Sequence, residues 1–428
     1  MYMKFEKVDD PRVEGKVTYK LSNMLTALVV SVVTDARSLR QVETRTGQIS
    51  KKNRKWLGIE KRIADNTFSK VLHRLSLPAL TPCLHRLIKT EHRRGNLKPV
   101  NLPWGTVAID GKNVATLRWE DLCRLVAVEE NTKPNRVKWL FEKKYPEAQV
   151  CIPENGKPYA LIRVHTVTLI SSGAPVCIHL RSIAGDTNEI GSMKALLGEL
   201  KENYGRTNLF SMVTTDAGNI SVDVAAEIRK HKLHYFAQIK TNHGEIYTEA
   251  LRRLQHRDES KADDKYVDVQ NGKIVTYYAW RTDLTYSGWL DWDHARQIVR
   301  VKRSVIDPVT GEIREGNRYY VSSKFVDELS PKAALKFSRR HWTCENSTHW
   351  TADAEFMEDR YRHAWSRHPK GLLAVSLLRI AAMAILSIAR YFCRFEHTKE
   401  KPTWEQIKEH YLLTLCASSL LTEDFDAI

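Results

Sequence analysis

Two aspartates of this 428-residue chain directly follow short apolar stretches and precede small residues. Asp110 ends the stretch TVAID and is followed by Gly111, and Asp216 ends MVTTD and is followed by Ala217 and Gly218. A carboxylate at the end of a strand, beside a glycine that leaves space, is well placed to hold a divalent cation. Mg²⁺ prefers such hard oxygen ligands and typically binds one or two carboxylates together with substrate phosphates. Taken alone, either aspartate is better explained as part of a turn or a helix cap.

A third carboxylate lies in the stretch HWTCENSTHW, where His341, Glu345 and His349 recur every four residues. On an α-helix this spacing places all three on one face. Zinc-hydrolase signatures place two histidines four residues apart with a glutamate between them, whereas the two histidines here are eight residues apart. The sequence therefore favours Glu345 as a third oxygen ligand beside Asp110 and Asp216, with a zinc-binding stripe as the alternative.

For three carboxylates together in a basic chain, a metal centre becomes as good an explanation as turns and helix caps. The predicted cofactor is a pair of Mg²⁺ ions, with Mn²⁺ as the substitute, because two such ions about 3.5–4 Å apart activate a water and stabilise the leaving oxygen in phosphodiester cleavage. Trp342 and Trp350 flank Glu345 on the predicted helix. Both are expected to anchor that helix in the core.

The aspartates lie in a region whose pattern predicts a mixed α/β sheet. Stretches rich in β-branched residues appear first as paired strands and then alternate with amphipathic helices. Helices are predicted over 188–205, ending at Gly205, and over 221–232. The predicted strands are 106–110, 161–170, 174–181, 208–216 and 234–240.

The remainder of the chain differs from this region in its pattern. The first hundred residues are predicted to be helical, the polar residues 111–158 form an irregular excursion, and antiparallel strands separated by turns occupy 243–330. The predicted domains are 1–100 (helical, DNA-binding), 101–242 (first part of the α/β core), 243–330 (β-rich insertion), 331–395 (second part of the core, with the Glu345 helix) and 396–428 (helical tail).

The net charge of +16 points to a polyanionic partner. Residues 51–100 carry 13 Lys/Arg and 3 Asp/Glu, so this stretch accounts for +10 of the +16. Such a density favours nucleic acid, and an anionic membrane surface is the weaker candidate because no strongly amphipathic anchor accompanies the charge. The candidate DNA contacts in this stretch are Lys51, Lys52, Arg54 and Lys55.

The apolar run 371–392 is long enough to suggest a membrane span, but Arg379 lies in its middle and Arg390 near its end. A helix buried in the protein is therefore the prediction. Seven scattered cysteines form no Cys-x-x-Cys pair, so neither a disulfide framework nor a zinc knuckle is indicated. Since the N-terminus also has no secretory pattern, a reducing cytosol is the expected location.

Further motifs are spread over most of the chain. They include the N-terminal stretch DPRVEGKVTYKLSNMLTALVVSVVTDARSLRQVETRTGQ, the stretch ADNTFSKVLHRL, and the short motifs VAIDGK, HTVTLI with His165, TNEI, VTTDAGN and IKTNHG. The most specific motif is formed by Arg339, His341, Trp342, Glu345, Asn346, His349, Trp350, Asp353, Phe356, Glu358, Asp359 and Arg362. With these motifs the chain resembles the DDE transposases, and more narrowly the H-repeat-associated insertion-sequence family.

The resemblance implies a ribonuclease-H-like α/β core with an N-terminal helical domain and a β-rich insertion. It also implies that Asp110, Asp216 and Glu345 bind the metal ions and are catalytic. Two positions depart from related transposases, which carry Arg and Lys where this chain has His341 and Ala352. These departures are expected to change how the protein contacts the DNA end, and they remove no metal ligand.

The predicted function is thus a Mg²⁺-dependent transposase that cleaves DNA at the ends of a mobile element and transfers the 3′-hydroxyl ends to target DNA. Double-stranded DNA and a second copy of the chain are the expected partners, in the bacterial cytosol. The alternative is a domesticated, transposase-derived DNA-binding protein or nuclease without transposition. Further candidate DNA contacts are Lys112, Lys240, Arg339 and His349.

Overall fold

The computed structural model describes residues 3–15, 17–292, 294–393 and 400–417. It has the predicted ribonuclease-H-like α/β fold, with a mixed sheet flanked by helices and an N-terminal helical region. The predicted tail 396–428 is described only over 400–417, and its other residues lie outside the described part of the chain. The domain boundaries inferred from the sequence stay predictions.

The N-terminal region is helical, as predicted. Its first helix is almost wholly apolar and buried, and the next two begin at serines that accept a backbone N–H, Ser38 from Gln41 and Ser50 from Asn53. The helices are α1 (Leu21–Val33), α2 (Leu39–Gln48), α3 (Lys51–Leu57), α4 (Asp65–Leu72) and α5 (Leu77–Arg93).

Six strands form the part of the sheet around the two aspartates, and the predicted strands are all present. The first strand continues well beyond Asp110, to Arg118. The strands are β1 (Thr106–Arg118), β2 (Gln149–Cys151), β3 (Tyr159–Leu169), β4 (Val176–Ile183), β5 (Met212–Thr215) and β6 (His234–Ile239).

The stretch 111–158, predicted to be an irregular excursion, is mostly regular, so that prediction was wrong. It contains the rest of β1, two helices and β2. In the second of these helices, the buried Val137 and Phe141 lie one turn apart and pack the helix near the edge strand β2. The helices of this half are α6 (Trp119–Leu125), α7 (Pro134–Lys144), and the two predicted ones, α8 (Glu189–Tyr204) and α9 (Val222–Lys230).

The region 243–330 is rich in strands, as predicted, and these strands extend the main sheet. The last of them pairs antiparallel with β6, from Tyr319 opposite Ile239 to Ser322 opposite Phe236. The elements of this extension are an unpredicted helix, α10 (Gly244–Leu254), and the strands β7 (Asp264–Gln270), β8 (Lys273–Asp283), β9 (Gln297–Ile306) and β10 (Ile313–Ser322).

All ten strands of the described residues thus belong to one sheet in the order β2-β3-β1-β5-β6-β10-β9-β8-β7, with β4 paired to β3. β1 is antiparallel to β3 and parallel to β5, and β5 is parallel to β6. The parallel strands β1, β5 and β6 and the strands of the extension therefore form one continuous sheet.

The C-terminal helices are α11 (Pro331–Arg340), α12 (Trp350–Ala354), α13 (Glu358–Trp365), α14 (Pro369–Phe392) and α15 (Trp404–Cys416), with a π-helical segment, Cys344–His349, before α12. By length and composition α14 could cross a membrane. Most of it is buried in the protein, where it packs against α1, α5 and β4. Arg379, which the sequence analysis took as a sign of burial, lies in this covered part.

Candidate active site

Asp110 and Asp216 lie on two neighbouring strands in the interior of the sheet. Asp216 directly follows β5, as predicted, but Asp110 lies within β1, so the prediction that Asp110 ends a strand was wrong. β1 and β5 are parallel neighbours, and their register ends with Ile109 opposite Thr215. Asp110 and Asp216 each come one residue later. Because side chains alternate along a strand, both aspartates project from one face of the sheet, opposite to the face of Ile109 and Thr215. Asp216 Oδ1 accepts a hydrogen bond of 2.8 Å from Asn219 Nδ2, which fixes its orientation.

A glutamate at the start of α8 adds a further carboxylate near Asp110. A Cβ atom at Gly111 would lie 2.2 Å from Glu189 Oε1, so the glycine leaves the room that this carboxylate occupies. Asn188 caps α8 by accepting the N–H of Gly191 at 2.8 Å. The sequence predicted no role for Glu189, and the motif TNEI, to which it belongs, was the only feature that pointed to this residue.

Glu345 lies on the π-helical segment Cys344–His349, so the prediction of a regular α-helix here was wrong. Short π-helical segments are rare and are frequent at functional sites. Trp350, expected in the core, has a side chain that is 56% exposed. Trp342 is half-buried, and the guanidinium of Arg318 lies 4.3 Å from its ring centre. Neither tryptophan is therefore the core anchor of this segment.

The two histidines of the predicted stripe attach the segment to the sheet. His341 Nδ1 lies 3.1 Å from Thr214 Oγ1 on β5, and His349 Nε2 lies 2.7 Å from Thr166 Oγ1 on β3. Thr166 is the direct strand partner of the first aspartate. Glu345, midway between the histidines, is thereby held over the sheet face that carries both aspartates. Because the histidines face threonine hydroxyls, no zinc-binding stripe is assembled.

The three carboxylates lie close enough to perturb one another. Burial, followed by the charges of Asp216 and Glu345, raises the pKa of Asp110 to about 7. Burial and the charge of Asp216 also raise the pKa of Glu345. Among the described residues no Lys or Arg pairs with any of the three. His349 Nδ1 lies 3.5 Å from Asp110 Oδ2, but burial lowers the pKa of this histidine to about 4, which leaves it neutral at pH 7.

The chemistry of this donor set fits a divalent cation. In the part of the chain that the structure describes, no three His, Cys, Asp or Glu side chains are already gathered closely enough to hold an ion. The three carboxylates nevertheless supply hard oxygen atoms at one place. Their mutual repulsion leaves negative charge that a cation would neutralise.

Known proteins are similar to this chain in sequence. A family model described as "Transposase DDE domain" matches residues 107–374, more than half of the chain. The chain belongs to the DDE transposases. A second model, described as "DDE_Tnp_1-associated", matches residues 2–88. The chain is also similar to the "Putative transposase YncI" of Escherichia coli O157:H7, with 23% identity over 366 residues that cover 83% of this chain and 80% of that protein.

Transposases act on DNA, and DDE transposases generally use divalent metal ions. All three residues of the predicted triad, Asp110, Asp216 and Glu345, lie within the matched range 107–374. The roles of these three residues stay predictions, and the geometry above is what supports them.

The transposase carries a second acidic cluster beside the first, and cations neutralise it. Lys112 Nζ lies 2.9 Å from Asp353 and 2.8 Å from Glu358. Arg379 of α14 also pairs with Glu358, and the Ser376 hydroxyl donates to it at 3.0 Å. Burial alone would raise the pKa of Glu358, but the charges of Arg379 and Lys112 outweigh it and lower the pKa to about 2. Lys112, a predicted DNA contact, has a side chain that is only 11% exposed and is engaged in this cluster.

Two other predicted DNA contacts of the transposase differ in their surroundings. Lys240 is exposed just after β6. Arg339 is half-buried, pairs with Asp268 at 3.1 Å, and places its guanidinium 4.0 Å from the ring centre of Tyr266. Arg339 is therefore engaged within the protein, whereas Lys240 is open to solvent.

The basic residues of α3 differ in their surroundings. Lys51, Lys52 and Lys55 are exposed. The guanidinium of Arg54 instead donates to three backbone carbonyl groups at and just after the end of α2. Arg54 thus stabilises the junction between α2 and α3.

Proposed function

We propose that this transposase cleaves phosphodiester bonds at the ends of a mobile DNA element and transfers the resulting 3′-hydroxyl ends to target DNA. Asp110, Asp216 and Glu345 are the proposed catalytic residues and would hold two divalent ions, Mg²⁺ or Mn²⁺. The in-register pairing of β1 and β5 carries this proposal. It sets two carboxylates side by side beneath a third, and no Lys or Arg of the described residues forms an ion pair with them.

The residues of the chain have distinct parts in this proposal. The backbone ladder of the sheet fixes Asp110 and Asp216, and Asn219 orients the second of them. The contacts of His341 and His349 with strand threonines keep the third carboxylate over the same place. When bound, the ions would activate a water for attack and offset the charge that develops on the phosphate.

Double-stranded DNA is the proposed substrate, and the cytosol is the proposed location. At least two copies of the chain would act together, because two element ends must be joined. The proposed phosphate contacts are Lys51, Lys52, Lys55 and Lys240. Arg54, Lys112, Arg339 and His349 are left out because each binds groups within the protein.

The DNA that flanks the gene supplies the substrate for the test, since short inverted repeats there would mark the element ends. An end-labelled duplex carrying one repeat is incubated with Mg²⁺, Mn²⁺ or EDTA. We expect strand cleavage that leaves a 3′-hydroxyl with either ion and none with EDTA. DNA binding by the wild type without cleavage in any divalent ion would favour the domesticated DNA-binding protein.

Two variants test the carboxylates in the same assay. Asp216→Ala is expected to abolish cleavage and to keep DNA binding. The matched control is Asp223→Ala, which removes an exposed carboxylate at the start of α9 and is expected to keep both. Metal-dependent cleavage by Asp216→Ala would remove this residue from the site.

A further inference from the structure

A cleft beside the carboxylates has the composition of a nucleic-acid site. It lies between the strands β7–β10 on one side and α11 on the other, and its volume is about 930 Å³. One acid lines it, Glu315, and this carboxylate is already paired with Lys302 at 2.6 Å. The basic residues in the lining are Arg303, Arg314, Arg318, Lys336, Arg339 and Arg340.

Three of these cations are available for a ligand. Arg303, Arg318 and Lys336 are exposed, and within the described ranges none of them pairs with an acid. Arg339, by contrast, is paired with Asp268. Cations without acidic partners, gathered in one concave surface, attract a polyanion and favour phosphate groups.

Aromatic rings line the same cleft. Tyr266 and Tyr277 are strand partners on β7 and β8, and their ring centres are 6.3 Å apart. Trp342 lies across from them, with the guanidinium of Arg318 stacked 4.3 Å from its ring centre. Basic side chains interleaved with aromatic rings are typical of surfaces that bind single strands, because exposed bases stack on the rings while the cations follow the backbone.

The size of the cleft favours a single strand over a duplex. A volume of 930 Å³ equals a cube with an edge of about 10 Å. This edge is shorter than the width of the major groove of B-DNA alone, which is about 12 Å. A duplex can therefore touch only the rim of the cleft, whereas a few unpaired nucleotides can enter it.

The cleft opens onto the candidate active site. Asn346, which lines it, directly follows Glu345 in the chain. Arg318, which also lines the cleft, stacks on Trp342, three residues before Glu345. A strand held in the cleft would thus pass within reach of the third carboxylate.

We propose that this cleft binds a short single-stranded segment of DNA, with the phosphates on Arg303, Arg318 and Lys336 and the bases against the two tyrosines. Only the identification of this segment as part of the strand to be cleaved rests on the proposed function. The strand extension of the sheet is then a second nucleic-acid surface, separate from the basic helix α3.

The test measures binding of a fluorescein-labelled short oligothymidine by anisotropy, in EDTA, over a range of salt concentrations. The double variant Arg318→Ala/Lys336→Ala is expected to bind at least about tenfold more weakly at low salt. Its slope of log K against log salt should fall by about 1.4, since each phosphate contact on a single strand contributes about 0.7 and two are lost. A blunt hairpin duplex should lose much less affinity.

The matched control is Lys133→Ala/Arg136→Ala, which removes two exposed cations at the start of α7, near the opposite edge of the sheet. It is expected to bind oligothymidine within twofold of the wild type. Tyr266→Ala supplies an independent arm, because it should weaken binding about tenfold and leave the salt slope unchanged.

The outcomes separate this proposal from the proposed function. Wild-type affinity of the double variant for oligothymidine would overturn the cleft assignment, whether or not the protein cleaves DNA. An equal loss for the duplex would also overturn it, since the cleft would then be a duplex contact. Absence of cleavage by the wild type, with oligothymidine binding lost in the double variant, would refute the proposed chemistry and leave the cleft in place.

Discussion

Two acidic clusters lie on neighbouring parts of the same sheet face, and they differ in what balances their charge. Asp110, Asp216 and Glu345 face one another, with no Lys or Arg partner among the described residues. Asp353 and Glu358 converge instead on Lys112, and Arg379 also pairs with Glu358.

The pKa values follow this difference. Burial and like charges raise the pKa of Asp110 to about 7, whereas Arg379 and Lys112 overcome burial and lower the pKa of Glu358 to about 2. Both clusters are acidic and at least partly buried, so the number of carboxylates alone does not indicate a metal site. The carboxylates that have no Lys or Arg partner among the described residues are the ones placed to bind metal ions.

The largest expected effect is on catalysis by the first cluster. Asp110→Asn should reduce cleavage by at least about 1,000-fold, because metal ions supply several kcal/mol of stabilisation to the charged transition state and each 1.36 kcal/mol is a factor of ten. The urea-unfolding midpoint in EDTA should stay the same or rise, because repulsion from Asp216 and Glu345 is relieved. A large fall in this midpoint would make Asp110 a structural residue and would remove the contrast between the clusters.

The second cluster should respond in the opposite way. Glu358→Gln leaves Lys112 and Arg379 partly uncompensated in a buried place, so it should lower the free energy of unfolding by about 3–5 kcal/mol, seen as a lower urea midpoint at pH 7. The matched control is Asp359→Asn at the exposed neighbouring position, which pairs with Arg362 at 3.6 Å and should cost less than about 1 kcal/mol. Equal midpoints for the two variants would contradict the structural role of Glu358.

A smaller effect is expected where the histidines meet the sheet. Thr166→Val removes the hydroxyl that lies 2.7 Å from His349 Nε2 and keeps the side-chain volume similar. We expect cleavage to fall about 10- to 100-fold, as for other outer-shell partners of metal ligands, with a higher Mn²⁺ concentration needed for half-maximal rate. Thr215→Val is the control, because this buried hydroxyl has no hydrogen-bond partner and points to the other face. Equal rates for both variants would show that the histidine contact does not position the site.

The smallest predicted effect is a pH dependence of stability. The ordinary pKa of Glu358, 4.5, falls to about 2 in the folded protein. A lowered carboxyl pKa contributes stability that is fully present above pH 4.5 and is lost as the pH falls toward 2. The difference in urea midpoint between the wild type and Glu358→Gln should therefore shrink as the pH falls below 4.5. A difference that stays constant down to pH 3 would show that the Glu358 carboxylate is not the source of this pH-dependent stability.

The sheet around the aspartates could be predicted from the sequence because its signals are local. TVAID and MVTTD each indicate a strand, although only MVTTD shows where its strand ends, because β1 continues to Arg118. The helix between β5 and β6 indicates that these parallel strands lie side by side. The helices α7 and α10 were missed, although buried residues recur in them at helical spacing, as with Val137 and Phe141. The charged residues around that spacing obscured it.

The contacts that position Glu345 could not be predicted in the same way. Thr214 meets His341 across 127 residues, and Thr166 meets His349 across 183 residues. No local pattern in the sequence indicates contacts between residues so far apart in the chain. The alternative of a zinc-binding stripe would require the histidines to share an ion with Glu345, whereas packing turns both histidines toward the sheet.

Anomalous diffraction from crystals grown with Mn²⁺ would show which of the two acidic clusters binds metal ions. We expect Mn²⁺ peaks bounded by Asp110, Asp216 and Glu345, and none between Asp353 and Glu358. Mn²⁺ bound at the second cluster, or none near the first in crystals that hold it elsewhere, would contradict the claim that carboxylates without internal cations form the metal site.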